Sequence, residues 1–106
     1  MDDVSKLIRY NSLLLIYQEL LSKTQKEILT DYFMFNLSIS EIATSRDVSR
    51  AAVEDAIKKG QAKLDEYEEK LGFLDKNESL KRLLEDIKEK DISNDNIIKE
   101  IERIIK

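Results

Sequence analysis

Cysteine, histidine, proline and tryptophan are absent from this 106-residue sequence, and glycine occurs only twice. Without cysteine there are no disulfides and no thiol chemistry. Without histidine as well, imidazole catalysis and His/Cys metal sites fall away. The lack of proline and near lack of glycine leave an all-helical composition. Long apolar runs are missing too: Leu13 to Tyr17, the longest, is far too short to span a bilayer. The acidic start at Asp2 and Asp3 does not read as a signal peptide, so a cytoplasmic protein without membrane insertion is expected. There is no glycine-rich phosphate loop, nucleophile motif or EF-hand spacing. The carboxylates of Glu66, Glu68, Glu69, Glu85 and Asp86 fall on solvated helix faces, where nothing would hold a pair at catalytic separation. The expectation is a non-enzyme with no cofactor and no metal.

Basic charge is also scarce. The net charge is −4. Residues 1–37 carry four basic and five acidic side chains, 38–63 five and four, and 64–106 nine and thirteen. Only the middle block is positive, and only by one, whereas strong duplex-DNA binders show a clear basic footprint.

That middle block organises the chain. Ser38 with Glu41 has capping-box spacing and predicts a helix from Ile39. Ile42 and Ala43 face inward, and Ala43 is small enough for a second helix to cross closely. Asp47 breaks the run, Val48 is expected to turn back into the core, and Ser49 can cap the next helix. Val53, Ala56 and Ile57 then mark its buried stripe. Together these make a helix-turn-helix pattern, although a plain helical hairpin shares most of them.

Around this motif the expected layout is a domain over residues 1–72 and a helical tail over 73–106. Helix 1 reads as Val4–Leu21, mostly core, with a stripe wide enough that part of it can serve a partner. Thr24 and Glu27 form a second capping box, and helix 2 runs to about Phe35, with Asn36 as a left-handed cap. Phe33, Met34 and Phe35 are a core cluster or a base-stacking platform. The helix after Ser49 meets no stop until Gly72, roughly 33 Å on. Val53, Ile57, Gly60, Leu64, Tyr67 and Leu71 form a heptad seam along it. Asn77 is expected to cap a tail helix over Glu78–Lys90 with Leu80, Leu83, Leu84 and Ile87 on one face. Ser93 or Asn94 caps a last helix with Ile97, Ile98, Ile101, Ile104 and Ile105.

If the second motif helix lies in a major groove, its outward residues are Ser49, Arg50, Ala51, Glu54, Asp55, Lys58 and Lys59. Arg50 can pair with guanine or serve as a surface ion-pair residue. Ser49 and the helix amides can hold a phosphate, and Lys58 and Lys59 can contact backbone phosphates. Glu54 and Asp55 oppose DNA unless they accept from cytosine. A homodimer held by helix 4, through Leu64 and Tyr67, and by the tail is expected; folding of the tail back on its own chain is the alternative.

The run Thr24-Gln-Lys-Glu-Ile-Leu, then Ser40-Glu-Ile-Ala, then Val48-Ser-Arg-Ala-Ala-Val resembles region 4 of sigma-70-type transcription factors. With Tyr17 before Leu20 and Leu21, the string from Val48 to Lys58, and Leu64 to Leu71, the longer pattern over residues 5–75 resembles the YlxM family of small bacterial helix-turn-helix proteins. The resemblance implies an all-α fold with a sigma-70 region 4-like core, a DNA-binding regulatory role, and a protein partner in the signal recognition particle pathway. The alternative is a protein–protein adaptor on the same scaffold without significant DNA affinity. Arg46, Asp47 and Glu54 depart from the pattern, standing where an apolar residue, Gly or Asn, and an aromatic are usual.

Overall fold

The structure is a computed structural model that describes residues 3–89 and 92–105. Asp2, the side chain of Asp3 and the expected helix end at Lys90 lie outside what is described. Among the described residues there are six α-helices and no strand. They are α1 Asp3–Tyr17, α2 Lys23–Leu29, α3 Ile39–Arg46, α4 Arg50–Leu71, α5 Phe73–Glu89 and α6 Asn94–Ile105. The chain separates into two compact units, 1–71 and 72–106.

In the first unit α1 stops at Tyr17, not Leu21. A 3-10 turn over Gln18–Leu20 follows, and Leu21 is extended. The tighter turn lets Leu21 enter the core while Leu20 stays outside. The buried face of α1 is Leu13, Leu14 and Tyr17; Val4, Ile8 and Leu15, which helical spacing also marked as core, are exposed. α2 starts one residue before the expected cap. Ser22, not Thr24, accepts from the Gln25 amide at 3.2 Å.

α2 passes into a single π turn over Thr30–Met34. The Thr30 hydroxyl donates to the Lys26 carbonyl at 2.6 Å, a back-bond that competes with the helix ladder and bends it. Asn36, at φ 55°, ends the element in the left-handed conformation expected of it. Phe33 joins the core, stacked on Tyr10 with ring centroids 5.3 Å apart, whereas Phe35 is exposed.

α4 runs the full 22 residues to Gly72, whose φ is +65°. Its seam is satisfied inside the unit. Val53, Ile57, Gly60 and Leu64 are buried, Tyr67 is half-buried and Leu71 is exposed. A Cβ on Gly60 would stand 2.5 Å from Leu29 Cδ1, so glycine is what allows α2 and α4 to cross this closely. Tyrosine hydroxyls pin the far half of α4 to the start of the chain. Tyr10 donates to Asp65 and Tyr17 to Glu68, each at 2.7 Å, and Tyr67 donates to the Leu20 carbonyl at 3.1 Å. This corrects the expected dimer seam: Leu64, fully buried, and Tyr67, held against Leu20, are occupied by their own chain.

In the second unit α5 begins at Phe73, directly after the Gly72 cap, so Asn77 lies within the helix and does not start it. Ser93 caps α6, accepting from the Asn96 amide at 3.3 Å. Leu83 is the one buried apolar side chain described in this unit. No described helix is long and apolar enough to cross a membrane.

Candidate functional site

α3, its turn and the first half of α4 form a helix-turn-helix. Both halves of the capping box are present: the Glu41 amide donates to Ser38 Oγ and the Ser38 amide to Glu41 Oε1, each at 3.0 Å. The amide bond from Ser38 stabilises the ionised carboxyl and holds Glu41 below the usual carboxylate range. Asp47 takes φ 55°, ψ 48°, and the Val48 amide closes onto the Ala43 carbonyl at 3.0 Å. Aspartate tolerates this left-handed position better than most side chains, because its short polar group can bond locally. The Ala52 amide then donates to Ser49 Oγ at 3.0 Å, starting α4 at Arg50.

The expected plug residue is placed differently. Val48 is 45 % exposed, and the buried side chains where α3 meets α4 are Ile42, Ala43, Val53 and Ile57. The left-handed Asp47 and the Ser49 cap turn the chain so sharply that Val48 stays outside. It lines a shallow cleft with Ser40, Thr44 and Arg50. Ser40 and Thr44, which the sequence pattern did not single out, and Val48, which it assigned to the core, are therefore surface residues beside Arg50. A serine capping just beyond a helix-breaking aspartate was the signal for them.

Arg46, which departs from the apolar residue usual there, ties the motif down. Its guanidinium donates to Asp31 Oδ2 at 2.8 and 3.1 Å and to Glu27 Oε2 at 2.8 Å, bridging α3 to α2 and its π turn. The bond to Asp31, then that to Glu27, raises its pKa further. An arginine spent on two carboxylates contributes little positive charge outward.

All seven expected contact residues are exposed: Ser49 at the cap, and Arg50, Ala51, Glu54, Asp55, Lys58 and Lys59 on the first three turns of α4, around the buried Val53 and Ile57. They do not form a continuous basic patch. Lys59 is paired with Asp55 at 3.0 Å, and Glu54 lies between the two cations without a described partner, Arg50 and Lys58. Around the other side of α4, Ile57, Lys58 and Glu54 border a groove of about 670 Å³ floored by Leu7, Phe33 and Leu37. No group of His, Cys, Asp or Glu among the described residues could hold a metal ion.

Residues 4–104 match the model of the family described as "Putative helix-turn-helix protein, YlxM / p13 like", UPF0122. A UPF0122 protein of Fusobacterium nucleatum is 42% identical over 102 residues, covering 96% of this chain and 98% of that protein. One from Halalkalibacterium halodurans is 43% identical over 86 residues, covering 81% and 79%. One from Bacillus cereus is 37% identical over 102 residues, covering 96% and 93%.

Proposed function

The chain belongs to the UPF0122 family of YlxM/p13-like helix-turn-helix proteins, and on that premise we propose that it is a non-catalytic, DNA-binding regulator. The observation that carries this reading is the free, capped start of α4. Ser49, Arg50 and Ala51 stand in solvent at the start of a helix that is anchored further along by Val53 and Ile57. Inserted in a major groove, that end offers Arg50 to a guanine edge and the unpaired first amides and the Ser49 hydroxyl to a phosphate. Lys58 and Lys59 track the backbone, and Lys59 must leave Asp55 to do so. Glu54 and Asp55 then face the duplex as cytosine acceptors or as repulsive charges that reject other sequences.

The family resemblance supports placing this regulation in the signal recognition particle pathway, through a protein partner in the cytoplasm. Pull-down from native extract, with and without nuclease, tests that placement. Recovery of targeting components that survives nuclease marks a protein partner, and their absence from both samples removes the link.

Fluorescence anisotropy against a sequence library tests the DNA role. Arg50→Ala is expected to cost about 1–3 kcal/mol at the preferred site and relax specificity, while Lys58→Ala weakens all sequences alike and lowers the salt slope. Weak binding indifferent to Arg50→Ala would instead favour the protein–protein adaptor. The near-balanced charge of Arg50, Glu54, Asp55, Lys58 and Lys59 is the observation on that side.

A further inference from the structure

The α5–α6 hairpin has two unlike sides. On one, Ser79, Arg82 and Asp86 face Asn96, Glu100 and Arg103 across a polar cleft of about 380 Å³ beside Leu83. Its cations are engaged: Arg103 donates to Glu100 and Arg82 to Ser79. The other side is apolar. Leu80, Leu84 and Ile87 of α5 and Ile98, Ile101 and Ile105 of α6 stand 37–69 % exposed. Spacings of three, four and seven put each trio on one helix face.

Two helices of this length with a single buried side chain cannot hold themselves together, since short helices depend on packing of their apolar faces. The six exposed side chains offer roughly 500 Å² per hairpin, against about 800 Å² per partner in a stable interface, the bordering residues supplying the rest. The hairpin itself is almost neutral, with eight basic and nine acidic residues over 72–106. A near-neutral apolar face calls for neither an anionic nor a cationic partner and does not repel its own copy.

Its edges carry more information. The outer edge of the apolar side on α5 is basic, with Lys81 and Lys88; the outer edge on α6 is acidic, with Asp95 and Glu102. All four are exposed, and none has a partner among the described residues. Lys88 and Asp95 each stand one residue inside the helix ends that flank the turn, and Lys81 and Glu102 each lie two helical turns further along. The two edges therefore match level for level. Two hairpins can meet face to face by a twofold axis across the helices or along them. The first lays α5 over α5 and brings lysine against lysine. The second lays α5 over the other copy's α6 and brings Lys88 to Asp95 and Lys81 to Glu102.

We propose that the apolar side of the hairpin docks a second copy of this chain, forming a homodimer whose tails make a four-helix bundle with α5 of one protomer over α6 of its partner. The pairing is isologous, so each contact occurs twice. It does not depend on the DNA reading, although it brings two helix-turn-helix motifs into one particle, as a palindromic target requires.

Sedimentation equilibrium of the full chain at tens of micromolar tests the pairing, with circular dichroism confirming that each variant is folded. Wild type is expected to be dimeric. Lys81→Glu with Lys88→Glu, and separately Asp95→Lys with Glu102→Lys, should each weaken association about 10- to 100-fold at low salt and much less at high salt. Mixing the two double variants should produce a heterodimer, and combining all four changes in one chain should restore wild-type association. A monomeric wild type overturns the proposal. So does undiminished association of both double variants, which would mean the lysine and carboxylate edges do not meet.

Discussion

Both units are built from helices that carry apolar faces, yet they bury very different amounts of apolar surface. Among the described residues, twelve apolar side chains are buried in the first unit and one, Leu83, in the second. The difference lies in crossings. α4 is met by α1, α2 and α3 on successive stretches of its seam, whereas α5 and α6 have only each other within their unit. A helix with an apolar face is a request for a neighbour, and the pattern alone does not say whether the neighbour lies in the same chain.

Leu64→Glu should break the comparison most severely. It places a carboxylate where no solvent reaches and should cost more than about 4 kcal/mol, unfolding the first unit in a urea titration followed by circular dichroism. Leu84→Glu, on the exposed side of α5, should leave the stability of the first unit within about 0.5 kcal/mol. Equal losses from the two would mean that the units are not organised differently.

Arg46→Ala should come next, at about 1–3 kcal/mol, because it leaves Asp31 and Glu27 facing each other without their shared cation. High salt should narrow its difference from wild type. A difference independent of salt would assign the loss to packing of the arginine stem.

A smaller effect is expected at the α2–α4 crossing. Gly60→Ala gains about 1 kcal/mol of helix propensity but forces the fully buried Leu29 fork aside, which costs about 1–3 kcal/mol. The net should be a loss of about 1 kcal/mol, recovered when a smaller residue is placed at Leu29. A gain in the unfolding midpoint would show that the crossing is looser than the 2.5 Å approach indicates.

The mildest probe is alkaline pH. Burial, then the hydrogen bond to Asp65, pushes the Tyr10 phenol up to about 12. Its unfolded pKa is about 10, so the folded chain holds this proton more tightly. The contribution is complete below about pH 10 and is lost as pH rises toward 12. Tyr10→Phe should remove that part of the alkaline slope; an unchanged slope would place its origin elsewhere.

Much of the first unit was legible from local signals. The Ser38 capping box, the left-handed Asn36 and the unbroken run from Arg50 to Gly72 are decided within four residues of chain, and the structure has them where the pattern put them. The misplacements have longer-range causes. Thr24 and Ser22 are both competent caps, and the 3-10 turn that brings Leu21 inward selects Ser22. Val48 has the character of a core plug, but the angle set by Asp47 and Ser49 leaves it outside. Arg46 looked like a flaw in the motif because its carboxylates, Glu27 and Asp31, lie on another helix.

By itself, then, the order of residues determined the helical class, the turn chemistry of the motif and the outward positions of α4 from Ser49 to Lys59. These rest on contacts between near neighbours, whose geometry follows from helical periodicity. Only the tertiary structure decided that the α4 seam is filled by the chain's own α1, α2 and α3, that Tyr10, Tyr17 and Tyr67 latch it there, and that the apolar side of the α5–α6 hairpin is left exposed. Burial is a property of pairs of surfaces, and amphipathic spacing specifies only one member of each pair.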